Sequence, residues 1–176
     1  ADSMAKSCMK LVASHLRTAC KEPDNLTARE GMMLAATQGG MAFSNSSVCM
    51  VHGMSRPLGA HFHVPHGLSN AMLLPSVTAY SAPHAMDRYA DCARAMGLAD
   101  ETKDTEKAVQ SLIQELECLN ADLKVPSTSE FGIGNNKYFS LVETMATQAL
   151  ESGSPGNNPR VPSAEDIISI YEDLWK

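Results

Sequence analysis

Residues 51–75 read VHGMSRPLGAHFHVPHGLSNAMLLP, and this stretch decides how the rest of the chain is interpreted. It places His52 near the end of one apolar helical segment and His66 at the start of the next, with a turn containing Pro and Gly between them. Imidazoles carried by two packed helices converge on one point in the metal sites of helical bundles. The spacing therefore predicts that His52 and His66 share a site.

Two imidazoles are only half of a closed metal site, because a structural zinc ion takes about four ligands. The sequence contains neither an HExxH motif nor an acidic residue four positions before a histidine. The other histidines are His15, His61, His63 and His84. We interpret these four as packing, turn or surface residues.

The sequence around the histidine pair is almost free of charge. Between residues 31 and 86 the only formally charged residue is Arg56, although five of the six histidines lie there. Charged side chains normally cover protein surfaces, so such a window predicts a buried layer. The same layer could also form the wall of a binding site whose strongest ligands are imidazoles.

The composition of the chain predicts an all-α fold. Ala, Leu and Met supply 49 of the 176 residues, whereas Val and Ile supply 14. The first three favour helices, and β-branched residues favour strands. This argues against a sandwich, a barrel or a parallel sheet.

Apolar periodicity predicts a bundle of about seven helices in one domain spanning residues 1–176. Thr27 and Glu30 have the spacing of a capping box, and Pro57 has the position of a helix stop. Gly39 and Gly40 indicate a close helix contact or a kink. The predicted helices cover residues 3–20, 27–57, 65 to about 75, 84–96, 105–123, 137–150 and 163 onward.

Charge and cysteine usage exclude several classes of protein. A formal net charge of −6 argues against a nucleic-acid-binding protein. No apolar run approaches the roughly 20 residues of a membrane span. Five widely spaced cysteines without a C-x-x-C pair predict free thiols in a reducing compartment. We therefore expect a cytoplasmic protein, or a mitochondrial one in a eukaryote.

Three segments together resemble one known family. They are HGMSRPLG at residues 52–59, VPHGLSNAMLLP at residues 64–75, and GMAFSN at residues 40–45. The sequence NPR at residues 158–160, followed by a last helix rich in Ile, Tyr and Trp, fits as well. The chain thus resembles the iron-containing (group III) alcohol dehydrogenases over essentially its whole length.

The resemblance implies a dehydroquinate synthase-like fold with two domains. In that family an α/β domain binds NAD or NADP, and an all-helical C-terminal domain holds a divalent metal, usually iron and sometimes zinc. It implies that this chain corresponds to the helical domain and that His52 and His66 are metal ligands. The other two ligands, an Asp and a His four residues apart, would precede Ala1, and so would the nucleotide-binding domain. A homodimer is implied by resemblance alone.

Arg56 departs from the family pattern. Many members carry a histidine at this position, four residues after the first metal ligand, and it has been assigned to proton transfer. Arginine stays protonated in proteins and has no acceptor nitrogen, so it cannot act as that base. We place Arg56 at the catalytic site as a residue that could bind a carboxylate or phosphate oxygen. The alternative is an arginine that satisfies carbonyl groups at a helix C-terminus.

The resemblance implies the metal-binding half of an NAD(P)-dependent alcohol dehydrogenase acting on a small alcohol or aldehyde. The chain has no GxGxxG motif and no βαβ pattern, so it should not bind the dinucleotide strongly on its own. Maleylacetate reductase and hydroxyacid–oxoacid transhydrogenase are alternatives within the family. A non-catalytic, stand-alone helical module is the alternative outside it.

Overall fold

The computed structural model describes residues 1–102 and 104–175. The described residues contain eight α-helices and no strand, which confirms the predicted all-α class. The helices are α1 Asp2–Lys21, α2 Leu26–Ser44, α3 Met50–Phe62, α4 His66–Ser81, α5 Met86–Ala95, α6 Thr105–Asp122, α7 Asn135–Glu151 and α8 Ala164–Leu174. Short 3₁₀ helices lie at Ala82–His84 and Ser154–Asn157. Within the described ranges no helix is both long and apolar enough to cross a membrane.

The helices are grouped into two compact units. The first comprises Ala1–Ser47 and Ala85–Leu123, and the second comprises Val48–His84 and Lys124–Lys176. Both predicted metal ligands belong to the second unit, so the site can be described within that unit alone. The prediction of one domain over residues 1–176 stays a prediction.

In the first unit, α1 packs against α2 and α5, and α5 packs against α6. Gly39 fulfils the prediction of a close helix contact, because a Cβ atom there would lie 3.3 Å from Cys8 Sγ. Exposed ion pairs join the helices, among them Lys6 with Asp91 at 2.6 Å. Such exposed pairs contribute only about 0–1 kcal/mol each.

The predicted burial of residues 31–86 is wrong for α2. Met33 is 72% exposed, and Leu34, Met41 and Phe43 are each at least half exposed. The reason is that α2 is apolar around its whole circumference, while only part of that circumference contacts α1. Most of the buried side chains of the window lie on α3 and α4, and α2 adds only Ala35 and Ala42.

The single helix predicted over residues 27–57 is in fact two helices, α2 and α3. Polar side chains end α2: Asn45 Nδ2 donates to the Met41 carbonyl at 2.7 Å, and Ser46 Oγ donates to the Ala42 carbonyl at 3.0 Å. Such side chains compete with the backbone for these carbonyls. The predicted Thr27–Glu30 capping box is also wrong, because Asn25 caps α2 by accepting from the Ala28 N–H at 3.1 Å.

Pro57 does not stop its helix, contrary to prediction. It is buried inside α3, which continues to Phe62. A proline removes one backbone hydrogen bond from a helix. Buried contacts around this turn hold the helix in place, since Met54 and Leu58 are fully buried and Tyr171 of α8 donates its hydroxyl hydrogen to the Met54 carbonyl at 2.6 Å. Pro75 is likewise inside α4.

The core of the second unit is formed by α3, α4, α7 and α8, and two buried tyrosines connect α3, α7 and α8 by hydrogen bonds. Tyr138 on α7 donates to the Tyr171 carbonyl at 2.7 Å. Burial raises the pKa of the Tyr171 phenol, which therefore remains a hydrogen-bond donor. Its bond to Met54 ties α8 to the turn of α3 that contains Pro57. The other large, fully buried side chains include Met50, Leu73, Met145 and Ile167.

We expect Tyr171→Phe to lower the free energy of unfolding by about 1 kcal/mol, the typical net value of one hydrogen bond. Chemical denaturation of the metal-free full-length protein measures it. Tyr80→Phe is the matched control, because Tyr80 is only half-buried and its hydroxyl donates to Asp166 Oδ2 at 2.9 Å. An equal loss in both variants would contradict a specific role for the buried hydroxyl of Tyr171.

Candidate metal centre

The structure brings the two predicted ligands together, but the predicted place of His52 near the end of its helix is wrong, because His52 is the third residue of α3. His63 ends α3 in the left-handed conformation, with φ 58°, and Pro65 precedes the first residue of α4. The chain thereby reverses, and α3 packs against α4. The ring centroids of His52 and His66 lie 5.2 Å apart, with 58° between the ring planes.

The surroundings of His66 determine which of its ring nitrogens carries the proton. Asn70 Nδ2 lies 2.9 Å from the His66 carbonyl oxygen, which can only accept, so this atom is the amide nitrogen. The same nitrogen lies 3.1 Å from His66 Nε2. Nε2 therefore accepts a hydrogen bond and carries the lone pair that could bind a metal. In a neutral ring the proton would then be on Nδ1, which lies 3.5 Å from Ser55 Oγ.

The other predicted ligand, His52, is half-buried, and its surroundings disfavour a charged ring. Desolvation, together with the nearby charges of His66 and Arg56, lowers the pKa of His52 below its usual value. Ser55 Oγ donates to the His52 carbonyl at 3.1 Å, which ties this turn of α3 to the same serine that contacts His66. The neutral form that a metal requires is thus the favoured form.

One buried polar atom beside the pair lacks a partner. Asn70 Oδ1 makes no hydrogen bond to any described residue, although both hydrogens of its amide group are used by His66. An acceptor in this position suits a cation or a hydrogen-bond donor. The donor set of two imidazoles and a nearby amide oxygen fits a divalent transition metal. Within residues 1–102 and 104–175, no three or more His, Cys, Asp or Glu side chains are placed so that together they could hold a metal ion.

The remaining four histidines make their contacts with other residues and not with the His52–His66 pair. His61 Nε2 lies 2.8 Å from Gln148 Oε1 on α7. His63 forms the end of α3, and His84 is exposed in the 3₁₀ helix. In the first unit the His15 ring lies against Gly31, where a Cβ atom would be 2.3 Å from Cδ2. These positions agree with their interpretation as packing, turn or surface residues.

Arg56 lies on α3 four residues after His52, and its side chain is exposed. The alternative role predicted for it, the satisfaction of carbonyl groups at a helix end, does not hold. The helix extends six residues beyond Arg56 to Phe62. The His63 backbone N–H closes that end by donating to the Gly59 carbonyl at 3.0 Å.

Sequence reasoning missed Ser55 and Asn70. A signal for both was present, because Asn70 follows His66 by four residues and Ser55 follows His52 by three. Residues at these separations are neighbours on a helix. The five cysteines are free of disulfides, as predicted.

Comparison with known proteins identifies the family. A model of the "Fe-containing alcohol dehydrogenase family, C-terminal" matches residues 1–175. The chain is 33% identical to lactaldehyde reductase of Escherichia coli (strain K12) over 175 residues, which cover 99% of this chain and 44% of that protein. It is 35% identical to the 1-propanol dehydrogenase PduQ of Salmonella typhimurium over 176 residues, which cover 98% of this chain and 48% of that protein.

A solved structure of the same kind is similar in fold. The crystal structure of a 1,3-propanediol oxidoreductase superposes with a TM-score of 0.91 at 32% identity, covering 98% of this chain and 44% of that one. The chain therefore spans a little under half the length of the relatives that it matches. The all-helical fold and the matches over nearly the whole chain show that it belongs to the iron-containing alcohol dehydrogenase family.

Proposed function

We propose that this chain supplies His52 and His66 as two ligands of a divalent metal centre in an NAD(P)-dependent alcohol or aldehyde oxidoreductase. The observation that carries the proposal is the 5.2 Å separation of the two ring centroids at the junction of α3 and α4. The relatives that the chain matches include a lactaldehyde reductase and a 1-propanol dehydrogenase, which supports a small alcohol or aldehyde as the substrate.

The two imidazoles are ligands of the kind that such a metal binds, and they supply half of the usual number. Imidazole suits both iron and zinc. In addition, Asn70 Oδ1 is an unpaired buried acceptor beside the ligands. We assign the remaining ligands to the part of the protein that the relatives have and this chain does not span.

The chain's own residues hold and orient the pair. The Asn70 amide donates to both the carbonyl and Nε2 of His66, and Ser55 contacts His66 Nδ1. An outer contact to the nitrogen that does not bind metal, here the Ser55 contact to Nδ1, fixes ring orientation. When bound, the metal supplies Lewis-acid polarisation of the substrate oxygen, and the nicotinamide supplies or accepts hydride. For Nε2 to bind a metal, the Asn70 amide has to turn away from it while still holding the backbone of α4.

The direct test is to express the full-length protein, measure its bound metal, and follow aldehyde-dependent oxidation of NADH and NADPH with and without chelator. The proposal expects activity that is lost on chelation and restored by Fe²⁺ or Zn²⁺. Full activity after complete removal of metal would overturn it. Restoration by one ion alone would identify the metal, and the preferred dinucleotide would identify the cofactor.

We expect Asn70→Ala to weaken metal binding about 10- to 100-fold, the usual effect of losing an outer-shell partner. The reason is that α4 loses the side-chain bond from Asn70 to the His66 carbonyl, which holds the backbone that carries the ligand. Titration with Zn²⁺ against a competing chelator measures the affinity. Asn136→Ala is a matched control on an exposed position of α7. Unchanged affinity in Asn70→Ala would show that His66 is positioned by packing alone.

A further inference from the structure

Arg56 is a solitary positive charge beside the histidine pair. It is the only formally charged residue in a stretch of 56 residues, from 31 to 86. Side chains four residues apart on a helix are neighbours, with Cβ atoms about 5–6 Å apart, so Arg56 shares a face of α3 with His52.

The guanidinium group of Arg56 has no counter-ion in the described structure. It is exposed, and it makes no hydrogen bond or ion pair with residues 1–102 and 104–175. The other arginine of the second unit differs in this respect: Arg160 contacts Asp166 at 3.3 Å and lies over the Tyr80 ring at 4.1 Å. Arg56 therefore has all five of its donors available.

An unpaired arginine beside a cation-binding pair is unfavourable until an anion joins it. Its like charge opposes the binding of a divalent metal by His52 and His66, and a negative group placed between them offsets that repulsion. Guanidinium groups bind carboxylates through two parallel hydrogen bonds, which also fixes the orientation of the bound group.

We propose that Arg56 binds an anionic group of the substrate and makes this site selective for short hydroxy and oxo acids over neutral alcohols and aldehydes. This inference rests on the proposed function, because the reacting oxygen is placed at the His52–His66 pair. One turn of helix rises about 5.4 Å, so the carboxylate lies only a few carbons from the reacting carbon. A phosphate of the dinucleotide is the other anion that could reach Arg56, and the experiment separates the two.

The test compares two isosteric substrates, 3-hydroxypropanoate and 3-hydroxypropanamide, which differ in charge but hardly in shape. The metal-loaded, full-length protein is assayed as wild type, Arg56→Gln and Arg56→Lys. We expect the ratio of kcat/KM for the acid to kcat/KM for the amide to fall about 10- to 100-fold in Arg56→Gln, mainly through KM, because one charge-assisted contact is lost. Arg56→Lys should recover part of the ratio, since lysine keeps the positive charge but cannot form the two parallel hydrogen bonds of a guanidinium group.

A binding measurement makes the result independent of turnover. The dissociation constant of 3-hydroxypropanoate from the protein–NADH complex is followed by NADH fluorescence, and we expect it to rise in Arg56→Gln by a similar factor. An unchanged ratio and an unchanged constant would overturn the inference. A weaker affinity for NADH or NADPH with an unchanged acid-to-amide ratio would also overturn it, assigning Arg56 to the dinucleotide. A wild-type protein that oxidises NADH or NADPH with aldehydes in a metal-dependent way, but turns over neither test substrate, would also overturn the inference. Aldehyde-dependent activity that survives complete removal of metal would instead refute the proposed function.

Discussion

Replacing His66 with alanine is expected to abolish tight metal binding and to lower turnover about a thousandfold or more. Charge stabilisation by a bound metal contributes several kcal/mol to the transition state, and each 1.4 kcal/mol corresponds to about a tenfold change in rate. His52→Ala should have a similar effect, because the two rings lie 5.2 Å apart and neither can bind the ion alone. Metal content by mass spectrometry and steady-state turnover measure the two losses.

The matched control is His84→Ala. His84 is exposed in the same unit and on the same stretch of chain, and we give it no part in the site. It should retain wild-type metal content and turnover. The double variant His52→Ala/His66→Ala should be no worse than either single variant if both rings hold one ion. Full metal content in either single variant would show that the rings do not share it.

The helical class and the junction of α3 and α4 could be predicted from the sequence because both depend on local signals. Ala, Leu and Met dominate the apolar residues, and a turn does separate the helices of His52 and His66, although it lies at residues 63–65 and not at the predicted Pro57. The capping box of α8 is also local, because Ser163 and Asp166, which form it, are three residues apart. When a signal lies within a few residues of the structure that it produces, tertiary packing has little opportunity to override it.

The errors arose where packing or side-chain competition decides the outcome. A proline such as Pro57 normally ends a helix, but here the helix continues. Buried side chains around Pro57 stabilise it, and so does the hydroxyl of Tyr171, which is bonded to Met54 across a sequence separation of 117 residues. The break after Ser44 depends on whether Asn45 and Ser46 turn back onto the helix, which periodicity does not reveal. The exposure of Met33 depends on how many neighbours α2 has, which its own sequence does not contain.

Only part of the candidate site could be predicted from the sequence. The histidine pair could be found from its spacing, whereas its polar supports, Ser55 and Asn70, required the three-dimensional arrangement. Arg56 could be recognised as unusual from the sequence, but only the length of α3 removed its structural explanation. The comparisons then established the family that the segments at residues 40–45, 52–59 and 64–75 had suggested by resemblance.

Gly53→Val is expected to lower the free energy of unfolding by about 3 kcal/mol, at the upper end of the cost of overpacking. A Cβ atom at Gly53 would lie 2.8 Å from Pro155 Cδ and 2.9 Å from Pro155 Cγ. Pro155 is fully buried in the 3₁₀ helix Ser154–Asn157, and its ring cannot rotate out of the way. Helix α3 would have to move, and His52 is the residue next to Gly53.

The variants Gly53→Ala and Gly40→Ala separate packing from helix propensity. Alanine is favoured over glycine inside a helix by about 1 kcal/mol, so propensity alone predicts stabilisation at both positions. Nothing lies within 4 Å of a Cβ atom at Gly40, and Gly40→Ala should therefore stabilise the protein. Gly53→Ala should destabilise it, because the clash with Pro155 exceeds the gain in propensity.

Denaturation of the metal-free protein gives these free energies without a contribution from bound ion. Zinc titration of the same variants then reports whether the displacement of α3 reaches the site. We expect Gly53→Val to weaken metal binding and Gly40→Ala to leave it unchanged, because the contact between Gly53 and Pro155 fixes the part of α3 that carries His52. If Gly53→Val lost stability yet bound zinc as tightly as wild type, the histidine pair would be held by α4 and its own hydrogen bonds, independently of the contact with the C-terminal segment.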